Sequence, residues 1–354
     1  MPKDINRILI IRFSSLGDVL LATPLIRLLR GKYPNSRIDF IVKLEYAELL
    51  RFNPNLTRVL EFDTKGGFSA LRILKKSVKK KKYNVILDLH HSLRSRYLTF
   101  SLARNPFGRT IVCGVRKNQF IRFLLVKFKI NLYRKIYGRI IPVWEKYIRT
   151  AGILGIQKDD GHVDLYFPYE TDQQPAEWLK QWHNRDYVVM APGAKHFTKR
   201  WPAEYFVRLV LEIHQKYNLP TLFVGSEDEI NIVEEILLEV PKNVGYSLAG
   251  KLSILQTADT IRRAKLVVSN DSGLMHVAAA LQKPLIAIFG STVEELGFYP
   301  NSINARVMEN SGLYCRPCSH IGRDSCPEKH FRCMKEISPD QVMEKISAIL
   351  KTNN

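Results

Sequence analysis

Short apolar runs alternate with amphipathic stretches along most of the chain. Residues 7–12 (RILIIR) form the first run, and a polar loop, 13–18, follows it. Val19, Leu20, Ala22, Leu25, Ile26 and Leu29 then recur at helical spacing, which predicts one helix over 19–29. The run 38–42 is the next strand, so the opening segment reads as a βαβ unit. The pattern returns later. Residues 188–191 are apolar, 192–201 polar and cationic, and Pro202 and Glu204 open a helix carrying Phe206, Leu209, Val210 and Ile213. Strand-like runs follow at 221–224, 266–268 and 284–289, the last two joined by a polar turn and a helix. A final helix is expected from Ser338-Pro339, with Val342, Met343, Ile346 and Leu350 on one face. Alternation of this kind builds parallel sheets covered on both sides, so the expected fold class is α/β. The polar, proline-bounded stretch 168–175 is the expected linker between domains 1–170 and 171–354.

The candidate chemistry sits where these strands end. The turn Ser269-Asn270-Asp271-Ser272-Gly273 leaves one apolar run and enters a helix with His276 in its first turns. A helix N-terminus at the carboxyl end of a parallel strand suits an anion, because free N–H groups and the dipole point at it. The same residues also suit a plain helix cap, and both readings stand at this point. Asp18 lies in the first turn of the opening helix, where any protein favours a carboxylate. Neither loop is a G-x-G-x-x-G or a P-loop pattern. Lys199-Arg200 follows the 188–191 run and reads as a diphosphate clamp beside the Asp271 turn. Glu227 ends the 221–224 segment, where a ribose hydroxyl would be held.

Taken in order, Arg12-Phe13-Ser14-Ser15-Leu16-Gly17-Asp18-Val19-Leu20, Lys199-Arg200-Trp201-Pro202, Gly225-Ser226-Glu227 and Asp271-Ser272-Gly273-Leu274-Met275-His276 resemble glycosyltransferase family 9, the ADP-heptose:lipopolysaccharide heptosyltransferases. The resemblance implies a GT-B architecture, two Rossmann-like doubly wound domains facing each other across a cleft. It implies acceptor binding on the first domain and nucleotide-sugar binding on the second. Asp18 would be the general base of an inverting single displacement, and Lys199 would neutralise the departing diphosphate. Glu227, Asp271, Ser272, Gly273 and His276 would hold the donor, and Ser14 and Ser15 would face the acceptor. The family often has Thr where Ser272 stands, which keeps the hydroxyl. Catalysis would need no cofactor. The acceptor would be an anionic lipopolysaccharide precursor (Kdo or a first heptose), or a protein.

Composition sharpens this picture in one respect. Of the 354 residues, 1–150 hold 32 Lys+Arg against 9 Asp+Glu, while the remainder holds 22 against 25. The net charge of +20 therefore comes from the first half, which points to a polyanionic partner or an anionic membrane surface. The cationic, aromatic stretch 120–135 reads either as an interfacial helix or as a core-facing helix with basic outer positions. No run approaches the ~18 apolar residues of a membrane span, and the N-terminus lacks a signal-peptide pattern. A cytoplasmic location, peripheral at the inner membrane, is expected. After the 85–87 run, His90, Arg94 and Arg96 are candidates for acidic groups of the acceptor. Adjacent histidines on an extended strand would point opposite ways, which disfavours a shared metal.

Cys113 stands alone, whereas Cys315, Cys318, Cys326 and Cys333 form C-x2-C-x7-C-x6-C. In a chain without an export signal this favours a structural zinc or iron site, or reduced metal-free cysteines, over disulfides. Two other function classes compete. A nucleic-acid-binding protein would explain the basic half but lacks every recognisable base-reading motif. A sugar-nucleotide epimerase of similar fold would share the nucleotide half but have little use for a strongly basic domain.

Overall fold

The computed structural model describes residues 5–100, 110–156, 159–168, 177–182 and 185–352. The chain divides into two compact units, one of Met1–Lys117 and Val143–Tyr166, the other of Asn118–Pro142 and Phe167–Asn354. Most of the expected linker, 169–175, lies outside the described residues.

Among the described residues, the first unit is built on five parallel strands: β1 (Arg7–Ile11), β2 (Arg37–Lys43), β3 (Arg58–Phe62), β4 (Val85–Asp88) and β5 (Ile111–Gly114), in the order β3-β2-β1-β4-β5. Ile8 to Ile11 are fully buried because a parallel sheet is covered on both faces, and this is why the run has no alternation. The strand order reverses between β1 and β4. Beyond the carboxyl ends of two such strands a crevice opens, and ligands of doubly wound sheets bind there. The loop to Asp18 leaves β1 at that point, and the turn carrying His90 leaves β4 beside it.

The single helix expected over 19–29 is in fact two, Leu16–Leu20 and Thr23–Lys32. Pro24 has no N–H to offer the Leu20 carbonyl, and the Thr23 hydroxyl donates to it instead at 2.8 Å. The break leaves Leu16–Leu20, which itself carries Asp18, as a short separate element.

The second unit repeats the plan with β6 (Val188–Ala191), β7 (Thr221–Phe223), β8 (Gly245–Ser247), β9 (Leu266–Asn270), β10 (Leu285–Phe289) and β11 (Ala305–Glu309). All pair in parallel, in the order β11-β10-β9-β6-β7-β8, and the reversal lies between β6 and β9. The helices Ala203–Tyr217 and Pro339–Thr352 share one core with these strands, through Leu209, Ile213, Val342 and Ile346.

Residues 118–142 precede the 170 boundary in sequence yet cluster with the second unit. The reason is local and specific. Leu125 packs with Tyr133 and Leu296, and the Lys129 ammonium donates to the carbonyls of Cys315 at 3.0 Å and Pro317 at 2.7 Å.

Candidate active site

In the first unit the polar groups converge on Asp18. Ser15 and Asp18 form a capping box at the start of Leu16–Leu20, the Ser15 N–H and hydroxyl donating to Oδ2 at 3.2 and 3.0 Å. Arg12, the residue after β1, places its guanidinium 2.6 Å from the same oxygen. Tyr147 donates its hydroxyl to Oδ1 at 2.9 Å. Burial alone would raise the Asp18 pKa, but the Arg12 charge and the bonds from Ser15 and Tyr147 outweigh it and hold the carboxyl below its ordinary range. Arg12 is itself held, with Nη1 donating to the Leu89 carbonyl at 2.8 Å and its guanidinium 5.6 Å from the Tyr147 ring centre.

The two histidines do not lie on an extended strand. They occupy a turn whose N–H groups both donate to Asp88 Oδ1, at 3.0 Å from His90 and 2.8 Å from His91. His90 packs edge-on against Phe13, and its Nδ1 is buried without a partner. Burial first, and then the nearby Arg12 and Lys117 charges, push its pKa down to about 4. His90 is thus a neutral ring beside Asp18, whereas His91 Nε2 lies 3.0 Å from Arg96. Arg94 and Arg96 are exposed on the helix Leu93–Phe100; Ser14 is half-buried and Ser15 exposed.

In the second unit the site gathers at the β6/β9 reversal. Lys199 ends the short turn Phe197–Lys199 and its ammonium lies 2.7 Å from Asp271 Oδ2, with both side chains largely buried. The Thr292 hydroxyl donates to the same carboxylate oxygen at 2.6 Å. Asp271 therefore does not cap the following helix. Ser272 is the N-cap of Gly273–Ala280, but its side chain makes no capping bond. The helix Gly273–Ala280 thus begins without a side-chain cap from its N-cap residue. His276 is buried in that helix, edge-on to Phe298. Trp201 is a core residue whose indole N–H donates to the Ile337 carbonyl at 2.9 Å. Glu227 is exposed at the start of the turn Glu227–Glu229.

Several residues here carried no signal in the sequence. Asn270 ties the two strand ends together, donating to the Pro192 carbonyl at 2.7 Å and accepting from the Trp201 N–H at 3.2 Å. Glu229 accepts from the Ser226 N–H at 2.8 Å and lies where a Cβ at Gly193 would fall, so a side chain there would have to displace the Glu229 carboxyl. Burial raises its pKa despite the Ser226 bonds. Arg316 is buried and donates to the carbonyls of Gly290 at 2.6 Å and Thr292 at 2.7 Å, pairs with Glu309 at 2.6 Å, and reaches the Asn310 carbonyl. Thr198 and Arg323 exchange backbone and hydroxyl bonds at 2.8 to 3.2 Å. The cysteine-rich segment thereby braces both the Lys199 turn and the Thr292 loop.

Its four cysteines are free, and burial raises the pKa of Cys315, Cys318 and Cys333, the last to about 12. Among the described residues no three His, Cys, Asp or Glu side chains are grouped to hold a metal ion. Cys333 belongs to the core, with Cys315 and Cys326 packed against it.

Comparison with known proteins matches this arrangement to one family. The profile of "Glycosyltransferase family 9 (heptosyltransferase)" matches residues 71–330. Lipooligosaccharide heptosyltransferase 2 of Haemophilus influenzae is 28% identical over 97% of this chain and 99% of its own length. Lipopolysaccharide heptosyltransferase 2 of Escherichia coli is 27% identical over 97% and 98%. Among solved structures, the Escherichia coli ADP-heptose lps heptosyltransferase II superposes with a TM-score of 0.75 at 24% identity, covering 98% of this chain and 99% of that one. A family 9 glycosyl transferase from Veillonella parvula reaches 0.78 at 24% identity over 99% of both chains. The fold is that of the GT-B enzymes, two Rossmann-like units in one chain, and the protein belongs to glycosyltransferase family 9.

Proposed function

We propose that the protein is an inverting heptosyltransferase that moves heptose from ADP-heptose to the inner core of lipopolysaccharide, with a Kdo or heptose unit as acceptor. The observation that carries this reading is the Lys199–Asp271 pair at 2.7 Å beside a helix end without a side-chain cap, at the reversal of the second sheet. An ammonium and free N–H groups are what a leaving diphosphate needs. Glu227, Ser272, Gly273 and His276 complete the proposed donor site.

Asp18 supplies the base. Its Oδ2 is occupied by Arg12 and Ser15, whereas among the described residues Oδ1 accepts from Tyr147 alone and keeps a lone pair for an incoming hydroxyl. The acceptor hydroxyl gives its proton to Oδ1 as its oxygen bonds to the anomeric carbon. The bond from that carbon to the diphosphate oxygen breaks in the same step, and ADP departs with its new charge met by Lys199 and the helix end. No covalent sugar–enzyme intermediate forms, and no cofactor enters. Ser14, Ser15, His90, Arg94 and Arg96 are the proposed acceptor side, the arginines meeting its acidic groups. A lipid-linked acceptor places the protein at the cytoplasmic face of the inner membrane; among the described residues no helix is long and apolar enough to cross it.

The test is transfer of labelled heptose from ADP-heptose to lipopolysaccharide ending at Kdo and to lipopolysaccharide ending at the first heptose, by wild type and by Asp18→Asn. Transfer by wild type, near-total loss in the variant and unchanged ADP binding are expected. ADP binding without transfer to either acceptor would remove the heptose assignment, and no ADP binding would overturn the reading altogether.

A further inference from the structure

The helix Gln119–Phe128 has two faces of opposite character. Ile121 and Leu125 turn inward onto Tyr133, Val293, Leu296 and Phe298. At about 100° per residue, Phe120, Phe123 and Lys127 lie on the other side. Phe120 is 70% exposed, Phe123 50% and Phe128 62%, and Ile136 in the next helix, Tyr133–Tyr137, is 53% exposed. Phenylalanines left in solvent in one cluster mark a docking face.

Charge identifies the occupant. Residues 118–142 hold six Lys or Arg and no Asp or Glu, and the whole stretch 89–144 is free of carboxylates. Lys129 is used internally, and Arg134 is 3.6 Å from Glu294. Arg122, Lys127 and Lys135 make no ion pair among the described residues. The acidic groups that face this region, Glu294 and Glu295, sit toward the second helix, where Glu295 accepts from Asn131 at 2.7 Å. On the phenylalanine-bearing face Lys127 is left without an ion-pair partner among the described residues, with Lys135 in the next helix. At ten residues the helix is far too short to span a bilayer. Cations interleaved with aromatic side chains on such a helix fit the headgroup boundary, rings inserted and ammonium or guanidinium groups on lipid phosphates.

We propose that the helix Gln119–Phe128, with Ile136 and Lys135 beside it, is the surface by which the protein docks on an anionic phospholipid bilayer, lying flat in the headgroup layer. The proposal deepens the functional reading, on which it rests for a lipid-linked acceptor.

The full-length protein is tested for co-flotation with vesicles of phosphatidylcholine alone and of phosphatidylcholine with about one third phosphatidylglycerol. Two double variants are compared, Phe120→Ser with Phe123→Ser, and Lys127→Glu with Lys135→Glu. Binding to the anionic vesicles, weakened by salt, is expected for wild type. The charge variant should lose roughly fivefold per cation removed, and the phenylalanine variant about tenfold or more. Both should keep wild-type transfer to a deacylated, water-soluble acceptor and lose transfer to the same acceptor embedded in vesicles. No vesicle binding by wild type, or binding untouched by both variants, would overturn the proposal. So would a wild-type dimer that the phenylalanine variant converts to monomer, since the face would then join two copies. Failure of wild type on the soluble acceptor alone would count against the transferase reading and leave the vesicle result standing.

Discussion

Replacing Tyr147 by phenylalanine removes one hydrogen bond from the Asp18 carboxylate while keeping the ring that packs beside Arg12. The lost bond is the 2.9 Å contact to Oδ1. A hydrogen bond to a charged group contributes about 1.5–3 kcal/mol, and 1.36 kcal/mol corresponds to one pKa unit. The Asp18 pKa should therefore rise by about one unit, and by two at most. It stays below neutrality, because Arg12 at 2.6 Å and the Ser15 bonds remain. The carboxylate is still ionised at pH 7 and, being more basic, takes the acceptor proton at least as well. The assay is kcat/KM for heptose transfer as a function of pH. The expected result is an acid limb displaced upward by about one pH unit with the plateau retained. An acid limb that does not move would refute the claim that Tyr147 sets the basicity of Asp18. A plateau collapsed a hundredfold or more would assign Tyr147 a direct part in the chemistry.

Lys199→Met should lower kcat by about 10²–10³ with a smaller effect on ADP binding, since the charge it meets grows mainly in the transition state; single-turnover rates and ADP titration separate the two. Arg316→Met leaves the carbonyls of Gly290, Thr292 and Asn310 and the Glu309 carboxylate without their donor, and should cost about 3–5 kcal/mol in urea unfolding; a loss under ~1 kcal/mol would contradict the brace. His90 is neutral in the fold down to about pH 4, whereas the unfolded chain protonates it near 6.5, so its burial removes stability as pH falls through that window. His90→Asn should flatten the acid side of the stability curve between those values, read by thermal unfolding. Asp18 acts in the same sense at lower pH: its depressed pKa adds stability above the ordinary 3.8, lost as pH falls through the folded value. Asp18→Asn should accordingly lose that extra stability near neutrality and show no such acid-side decline.

The sequence by itself determined the central strands and the places where chemistry is held, but not the part-exposed edge strands β3, β5, β8 and β11. Runs such as 8–11 and 285–289 are apolar throughout because a parallel strand is buried on both faces, and that burial leaves no ambiguity in a one-dimensional pattern. Polar motifs that directly follow such strands, at Asp18, Lys199 and Asp271, must emerge at the carboxyl edge of a sheet, so their neighbourhood was legible before any coordinates. Two local features were misread for local reasons. Helical spacing continues across 19–29, but one missing N–H at Pro24 splits the element, and a turn bound to Asp88 takes the histidines off the strand. Only the tertiary structure decided the partners. Tyr147 reaches Asp18 from 129 positions away, and Arg316 fixes the Thr292 loop from 24 positions away. It also decided that Asp271 pairs with Lys199 instead of capping its helix, and that 118–142 packs with the second unit. Hydrophobic periodicity reports which face of an element is buried; it carries no record of which distant polar group will meet it, because that depends on how the sheets wind the chain back on itself.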